Sequence, residues 1–292
     1  MKKIVPIILS LTSLTAFSQD DLLKELSEKE KPEVNYTFQT FKGTRIVNGQ
    51  SVETKGKHEL EFIFSHRFGT LNSGSYNLWG LDNAFVRLGL EYGITDRLGV
   101  AIGRTSTDKS FDSYIRYKLF RQSSGAKNFP VTVTTIATTN FKSSPPANEN
   151  PLITTKDRLS YVAEVLIARK FSSSFSFQLS GIYVHRNMVY QSYENNDDYA
   201  VGFSGRYKIT RSVALTGEYF YRLNPKNNTP YYNSLGFGID IETGGHVFQL
   251  VFTNSVGMIT RSVVAETDGN FGAGDIHFGF NISRVFQLSK KH

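Results

Sequence analysis

Residues 199–222 read YAVGFSGRYKITRSVALTGEYFYR, and this stretch decides the fold. Tyr199, Val201, Phe203, Tyr207 and Ile209 fall on one side of an extended chain. Ala200, Gly202, Ser204, Arg206 and Lys208 fall on the other. Successive side chains of a strand point to opposite faces, so period-two alternation marks a strand with two different surroundings. Ile209-Thr210-Arg211-Ser212-Val213 turns the chain, and a second strand places Glu218 and Arg222 on the face that carries Arg206.

The pattern extends outward from this hairpin. Leu60, Phe62, Phe64 and Phe68 alternate with Glu61, Ser65 and Arg67. Ala84, Val86, Leu88, Leu90 and Tyr92 alternate with Arg87, Gly89 and Glu91. Phe175, Phe177, Leu179 and Tyr183 alternate with Ser176, Gln178 and Ser180, and Ile276, Phe278, Phe280 and Ile282 with His277, Gly279 and Asn281. Helix-period stripes are absent after about residue 33. Soluble sandwiches alternate as well. Three features point instead to an up-and-down antiparallel transmembrane β-barrel. The strands run about ten residues, against about 5–6 in soluble sheets. Their second face mixes Gly, Ser, Arg and Glu, as a wet lumen would. Short turns alternate with long loops.

The short turns at 92–98, 169–175 and 207–213 share one plan, in which three small or polar residues separate two apolar ones. Glu242-Thr243-Gly244-Gly245 is a glycine turn and 122–129 a longer one. Longer connections fall at 69–81, 142–157, 188–197, 224–231 and 257–273, with a brief one at 107–109. The spacing predicts twelve strands, near 57–68, 82–93, 97–106, 110–121, 130–141, 158–171, 174–187, 198–210, 212–223, 232–242, 246–256 and 275–288. An even number leaves both ends in the periplasm.

Composition narrows the class further. With 13% aromatics the chain is no disordered tail, and with no cysteine it has neither disulfides nor a thiolate metal site. Met1-Lys2-Lys3, an apolar run from Ile4 to Leu14 and small residues Ala16 and Ser18 predict a signal peptide over 1–18, hence an outer-membrane location. That run falls short of the roughly 20 residues a spanning helix needs. Residues 19–56 form a periplasmic lead, charged from Asp20 to Glu33 and extended from Tyr36 to Val47. The lead either enters the barrel from below or stays a loosely held extension. The barrel occupies 57–292.

The segments Phe41-Lys42-Gly43-Thr44-Arg45-Ile46-Val47-Asn48-Gly49-Gln50-Ser51, Leu90-Glu91-Tyr92-Gly93-Ile94-Thr95-Asp96-Arg97-Leu98 and Asp240-Ile241-Glu242-Thr243-Gly244-Gly245-His246 carry a resemblance. So do Val184-His185-Arg186-Asn187 and Gly274-Asp275-Ile276-His277-Phe278-Gly279-Phe280. The chain resembles an uncharacterised family of outer-membrane β-barrels of Bacteroidota, catalogued as a domain of unknown function. The resemblance implies the barrel and supplies no activity.

In the assigned phase the lumen receives Glu61, Arg67, Arg87, Glu91, Asp112, Arg116, Lys118, Glu164, Arg186, Arg206, Lys208, Glu218, Arg222, Asp240 and Glu242. These charges nearly balance, which argues against a strongly ion-selective pore. Buried charges need partners, and Arg87, Glu91, Arg116, Arg206 and Glu218 are expected to pair across neighbouring strands. His66 and His185 sit near extracellular strand ends without a third ligand, so no metal site and no cofactor is expected. No serine stands beside a base in a catalytic arrangement, and no enzyme is expected. The reading is a porin-like passive pore for small solutes, or a structural membrane protein. An outer-membrane lipid hydrolase is the alternative, or a scaffold that holds periplasmic partners through residues 20–56. Its partners are outer-membrane lipids, the barrel-assembly machinery and small solutes, with no nucleic acid.

Overall fold

The computed structural model describes residues 33–144 and 153–289. The predicted signal peptide and the charged lead up to residue 32 lie outside the described residues. Among the described residues fourteen strands follow one another: β1 (Val34–Tyr36), β2 (Glu59–Thr70), β3 (Ala84–Gly93), β4 (Leu98–Thr105), β5 (Phe111–Phe120), β6 (Ser123–Gly125) and β7 (Thr132–Phe141). After them come β8 (Leu159–Lys170), β9 (Phe175–Arg186), β10 (Asp197–Lys208), β11 (Val213–Arg222), β12 (Ser234–Thr243), β13 (His246–Thr253) and β14 (His277–Gln287). Among the described residues one short α-helix, α1 (Thr260–Ala265), lies in the last long loop.

Twelve of these strands close into an antiparallel barrel in the order β2-β3-β4-β5-β7-β8-β9-β10-β11-β12-β13-β14, and β14 pairs with β2 to complete the ring. Closure satisfies every ladder without an open edge, the condition for backbone in hydrocarbon. No helix among the described residues is long and apolar enough to cross a membrane. The outer face carries Leu88, Leu90, Ile102, Ile115, Val165 and Leu179, all exposed. Aromatic residues flank this band: Tyr207 and Phe286 on the periplasmic side, Tyr161 and Tyr199 on the other. The barrel strands start and end within three residues of the positions predicted from alternation.

Two features depart from an open wet tube. β1 pairs with β6 at the periplasmic turn between β5 and β7. From there the chain climbs into the barrel, reverses, and descends to start β2. Ile46 N donates to Gly49 O at 3.0 Å and Ser51 N to Thr44 O at 2.9 Å, closing a hairpin. The lead is therefore no loosely held extension from residue 40 onward: Phe41, Ile46, Val47 and Val52 are at most 1% exposed. The descending arm leaves past Gly93, where a Cβ would stand 2.0 Å from Gly56 O, so only glycine fits. At the other end, the loop after β13 folds inward, and α1 is buried along its whole length. A helix there was not predicted. Six residues are too few for a periodic stripe, and the signal was only an apolar cluster, Met258-Ile259 and Val263-Val264-Ala265, in a loop otherwise polar.

Candidate functional site

The lumen wall grips the hairpin mainly by its backbone. The Glu218 carboxylate on β11 accepts from Val47 N at 3.2 Å, Asn48 N at 2.8 Å and Gly49 N at 3.0 Å. Three successive N–H groups of a tight turn make a concave anion nest, and Glu218 fills it. Arg67 on β2 donates to Val47 O and Asn48 Oδ1, and Asn281 on β14 also donates to Val47 O. Gln178 on β9 accepts from Val52 N and donates to Gln50 O. Arg116 on β5 donates to Ser51 O, Glu53 O and Gln50 Oε1. Gln249 on β13 reaches Ile46 O and Thr134 on β7 reaches Val52 O. Nearer the periplasm, Lys55 pairs with Glu61, Lys118 with Glu53, and Lys42 with Glu242.

Apolar contacts reinforce this grip. Phe41, Ile46, Val47 and Val52 form one core with the inward-facing Tyr114, Ile136, Leu166, Ala168 and Val251. The lumen is therefore not lined by polar groups alone. Alternation concealed this on β8, where Val162, Leu166 and Ala168 face inward while Val165 and Ile167 face out. Below the hairpin a cavity of about 810 Å3 opens at the periplasmic end, bordered by Lys118, Arg121 and Glu242 among others.

The inward charges named from the sequence are all buried or half-buried; Lys208 and Glu242 are the half-buried ones, near the periplasmic ends. The pairing of Arg87, Glu91, Arg116 and Arg206 differs from the neighbouring-strand ladders expected of them. Arg87 on β3 pairs with Asp112 on β5, two strands away, with Nε–Oδ1 at 3.0 Å and Nη2–Oδ2 at 2.5 Å. Arg116 on β5 pairs with Glu91 on β3, which also accepts from Tyr114. Arg206 on β10 reaches Asp240 and Glu242 on β12. Each pair spans an intervening strand because that strand presents little side chain. At Gly103 of β4 a Cβ would sit 2.3 Å from Arg87 Nη2. Among the described residues Glu218 has no cation at ion-pair distance, and it serves the hairpin instead.

The extracellular end has its own cluster. Glu266, just after α1, accepts from Arg261 at 2.6 Å, Lys142 at 3.3 Å and Arg186 at 3.4 Å. Arg186 also binds Glu194 and Asp198, and Arg222 holds Ala265 O. Glu164, deep on β8, accepts from Thr260 Oγ1 at 2.9 Å. Burial pushes the Glu266 carboxyl up, but Arg261, Lys142 and Arg186 outweigh it and hold it down at about 2. A depressed carboxyl stabilises the fold above its ordinary range, and the contribution is lost only as pH falls through about 2. The lock therefore stays charged across any ordinary pH. Glu266→Gln should loosen the 254–274 loop at neutral pH by about 1–3 kcal/mol, a modest figure because Lys142 is a third exposed to screening solvent. Faster proteolytic nicking of that loop, with an unchanged barrel core, is the expected measurement.

The two rim histidines do not meet. His66 stacks on Phe280 at 5.1 Å on the lipid face. His185 holds Asp197 through Nδ1 at 2.7 Å and Asn187 through Nε2 at 3.0 Å, so neither ring nitrogen faces a serine. Among the described residues no group of three or more His, Cys, Asp or Glu could hold a metal ion.

A closed even-numbered barrel, an apolar belt with aromatic borders and a polar interior define a membrane-bound β-barrel of the outer membrane. The chain belongs to the membrane bound beta barrel domain family DUF5777, whose model matches residues 41–286. The match begins at Phe41, so the family domain includes the hairpin. No curated protein matches the sequence. Among solved structures the chain is similar to the NanC porin, at 12% identity over 77% of this chain and 98% of that one, TM-score 0.48. It is also similar to the KdgM porin in complex with disordered oligogalacturonate, at 9% identity over 78% and 99%, TM-score 0.48. An outer membrane channel from Pseudomonas putida F1 shares 13% identity over 84% and 100%, TM-score 0.48.

Proposed function

We propose that the barrel passes small polar solutes across the outer membrane without catalysis, and that its own N-terminal hairpin closes the route at rest. The observation that carries this reading is the manner of attachment. Wall side chains hold the hairpin by its backbone N–H and C=O groups, bonds that water can replace one for one when it withdraws. Burial of its four apolar side chains adds roughly 6–12 kcal/mol, an upper figure. Spontaneous opening is then rare, and the resting barrel conducts little. The cavity beneath the hairpin gives solutes a waiting volume on the periplasmic side. A lipid hydrolase is disfavoured by the engagement of both His185 nitrogens without a nucleophile.

The chain has no cysteine, so a designed disulfide is a clean test. Val47 Cγ1 lies 3.0 Å from where a Cβ on Gly236 would stand, within disulfide reach. The Val47→Cys, Gly236→Cys double variant should be silent in planar bilayers when oxidised and regain the wild-type's infrequent openings on reduction. Conductance indifferent to the bridge would sink the reading.

A further inference from the structure

The extracellular half of the lumen wall carries buried polar side chains that neither insert satisfies. Asn140 on β7 is 1% exposed, and both its amide nitrogen and its amide oxygen lack a protein partner among the described residues. Ser160 on β8 stands directly opposite it in register, with its hydroxyl also unpartnered. Thr105 at the end of β4 and Ser110 just before β5 add two more such hydroxyls. Thr105 N donates to Ser110 O at 2.8 Å, so these two are side by side.

The register gathers all four. Asp112 pairs with Asn140 and Asn140 with Ser160, which makes one inward row across β5, β7 and β8. Gly103 is the partner of Asp112 on β4. Thr105 and Ser110 therefore stand one inward row nearer the extracellular end, each two residues beyond a member of the first row. A single unmet hydroxyl is ordinary, because it rotates freely. A buried amide unmet at both ends costs about 1–3 kcal/mol per group, and native proteins leave few such groups. Here that amide faces the unmet Ser160 hydroxyl across one ladder, and the unmet Thr105 and Ser110 hydroxyls stand one row further out.

The chemistry of the cluster selects its ligand. Neighbouring charges are committed elsewhere: Asp112 to Arg87 through two bonds, Lys142 and Arg261 to Glu266. What remains is neutral and mixes donors with acceptors. A solute hydroxyl, itself both donor and acceptor, complements such a surface, whereas an ion would find no countercharge. We propose that Asn140, Ser160, Thr105 and Ser110 form a binding site for a small neutral polyhydroxylated solute, beneath the partly exposed Asp108–Lys142 pair. The site lies on the extracellular side and does not require the hairpin to move. A binding measurement thus separates its failure from failure of the passage reading.

The test is saturation-transfer NMR on the full barrel in a sugar-free detergent, with D-glucose and glycerol as probes and acetate as the charged control. Wild-type protein should transfer to a polyol and not to acetate. Asn140→Leu should weaken polyol binding about tenfold, equivalent to roughly 1.4 kcal/mol. It should keep heat-modifiable migration, because an apolar group of similar size replaces an unmet amide. If Asn140→Leu fails to assemble, Ser160→Ala and Thr105→Val decide in the same way. Equal transfer in wild type and variants, equal transfer to acetate, or no transfer to either polyol overturns the proposal.

Discussion

Glu218→Ala is expected to turn an electrically quiet barrel into a conducting one. The carboxylate is the acceptor for three consecutive hairpin N–H groups, and each is buried. Truncation leaves all three without a partner at about 1–3 kcal/mol apiece, so the docked hairpin loses about 3–9 kcal/mol. Shifting a two-state equilibrium from 1:99 to 99:1 takes about 5.5 kcal/mol. The loss therefore falls in the range that converts a mostly closed population into a substantially open one. The barrel itself should survive, because its ladders and lipid face do not involve Glu218. Planar-bilayer recordings should show frequent openings with unchanged heat-modifiable migration. Glu218→Gln should fall between, since the carboxamide keeps one acceptor oxygen and points a donor at the remaining N–H groups. A Glu218→Ala barrel as quiet as wild type would mean that the hairpin is permanent core and not a gate.

Leu90→Arg is expected to block assembly. Leu90 is exposed on the outer face of β3, and its register partners are Phe62 on β2 and Ile102 on β4. None of these offers a charge or a hydrogen bond, and a mid-strand guanidinium cannot easily reach either headgroup layer. An arginine at the membrane midplane of a barrel costs about 2–4 kcal/mol. The same residue type three positions back on the same strand, Arg87, is accommodated because it points inward onto Asp112. Folding into lipid vesicles, followed by gel mobility without heating, should show the variant largely unfolded. Normal assembly of Leu90→Arg would contradict the assigned faces of the barrel.

These two outcomes divide along the line between what was legible in the sequence and what was not. The face of Leu90 follows from alternation with Arg87 and Glu91, a property of the local chain. The role of Glu218 does not. Its inward direction was readable from residues 213–222, but its partners lie some 170 residues earlier, in a segment equally readable as a loose extension. Read as extended from Tyr36 to Val47, that segment gave no sign of the reversal at Val47–Gly49 or of what it would dock against.

The same holds for the charges. Inward placement of Arg87, Arg116 and Arg206 followed from the period of two, yet their partners sit two strands away, because Gly103 on β4 and the small Ala214 on β11 leave the intervening strands low enough to reach across. The α1 loop escaped notice since six residues carry no helical period. Asn140 and Ser160 carry neither charge nor motif, and only the lack of partners among the described residues at that height distinguishes them.

By itself, then, the sequence determined strand number, strand faces, turn positions and the membrane, because each depends on side-chain direction within a few residues and on the exclusion of charge from hydrocarbon. Only the tertiary structure decided what fills the barrel. Filling depends on closure of the ring, which brings β2 beside β14 and stands Glu218, Arg67, Gln178 and Asn281 around one axis. Closure is a property of the whole sheet, and no stretch of a dozen residues contains it.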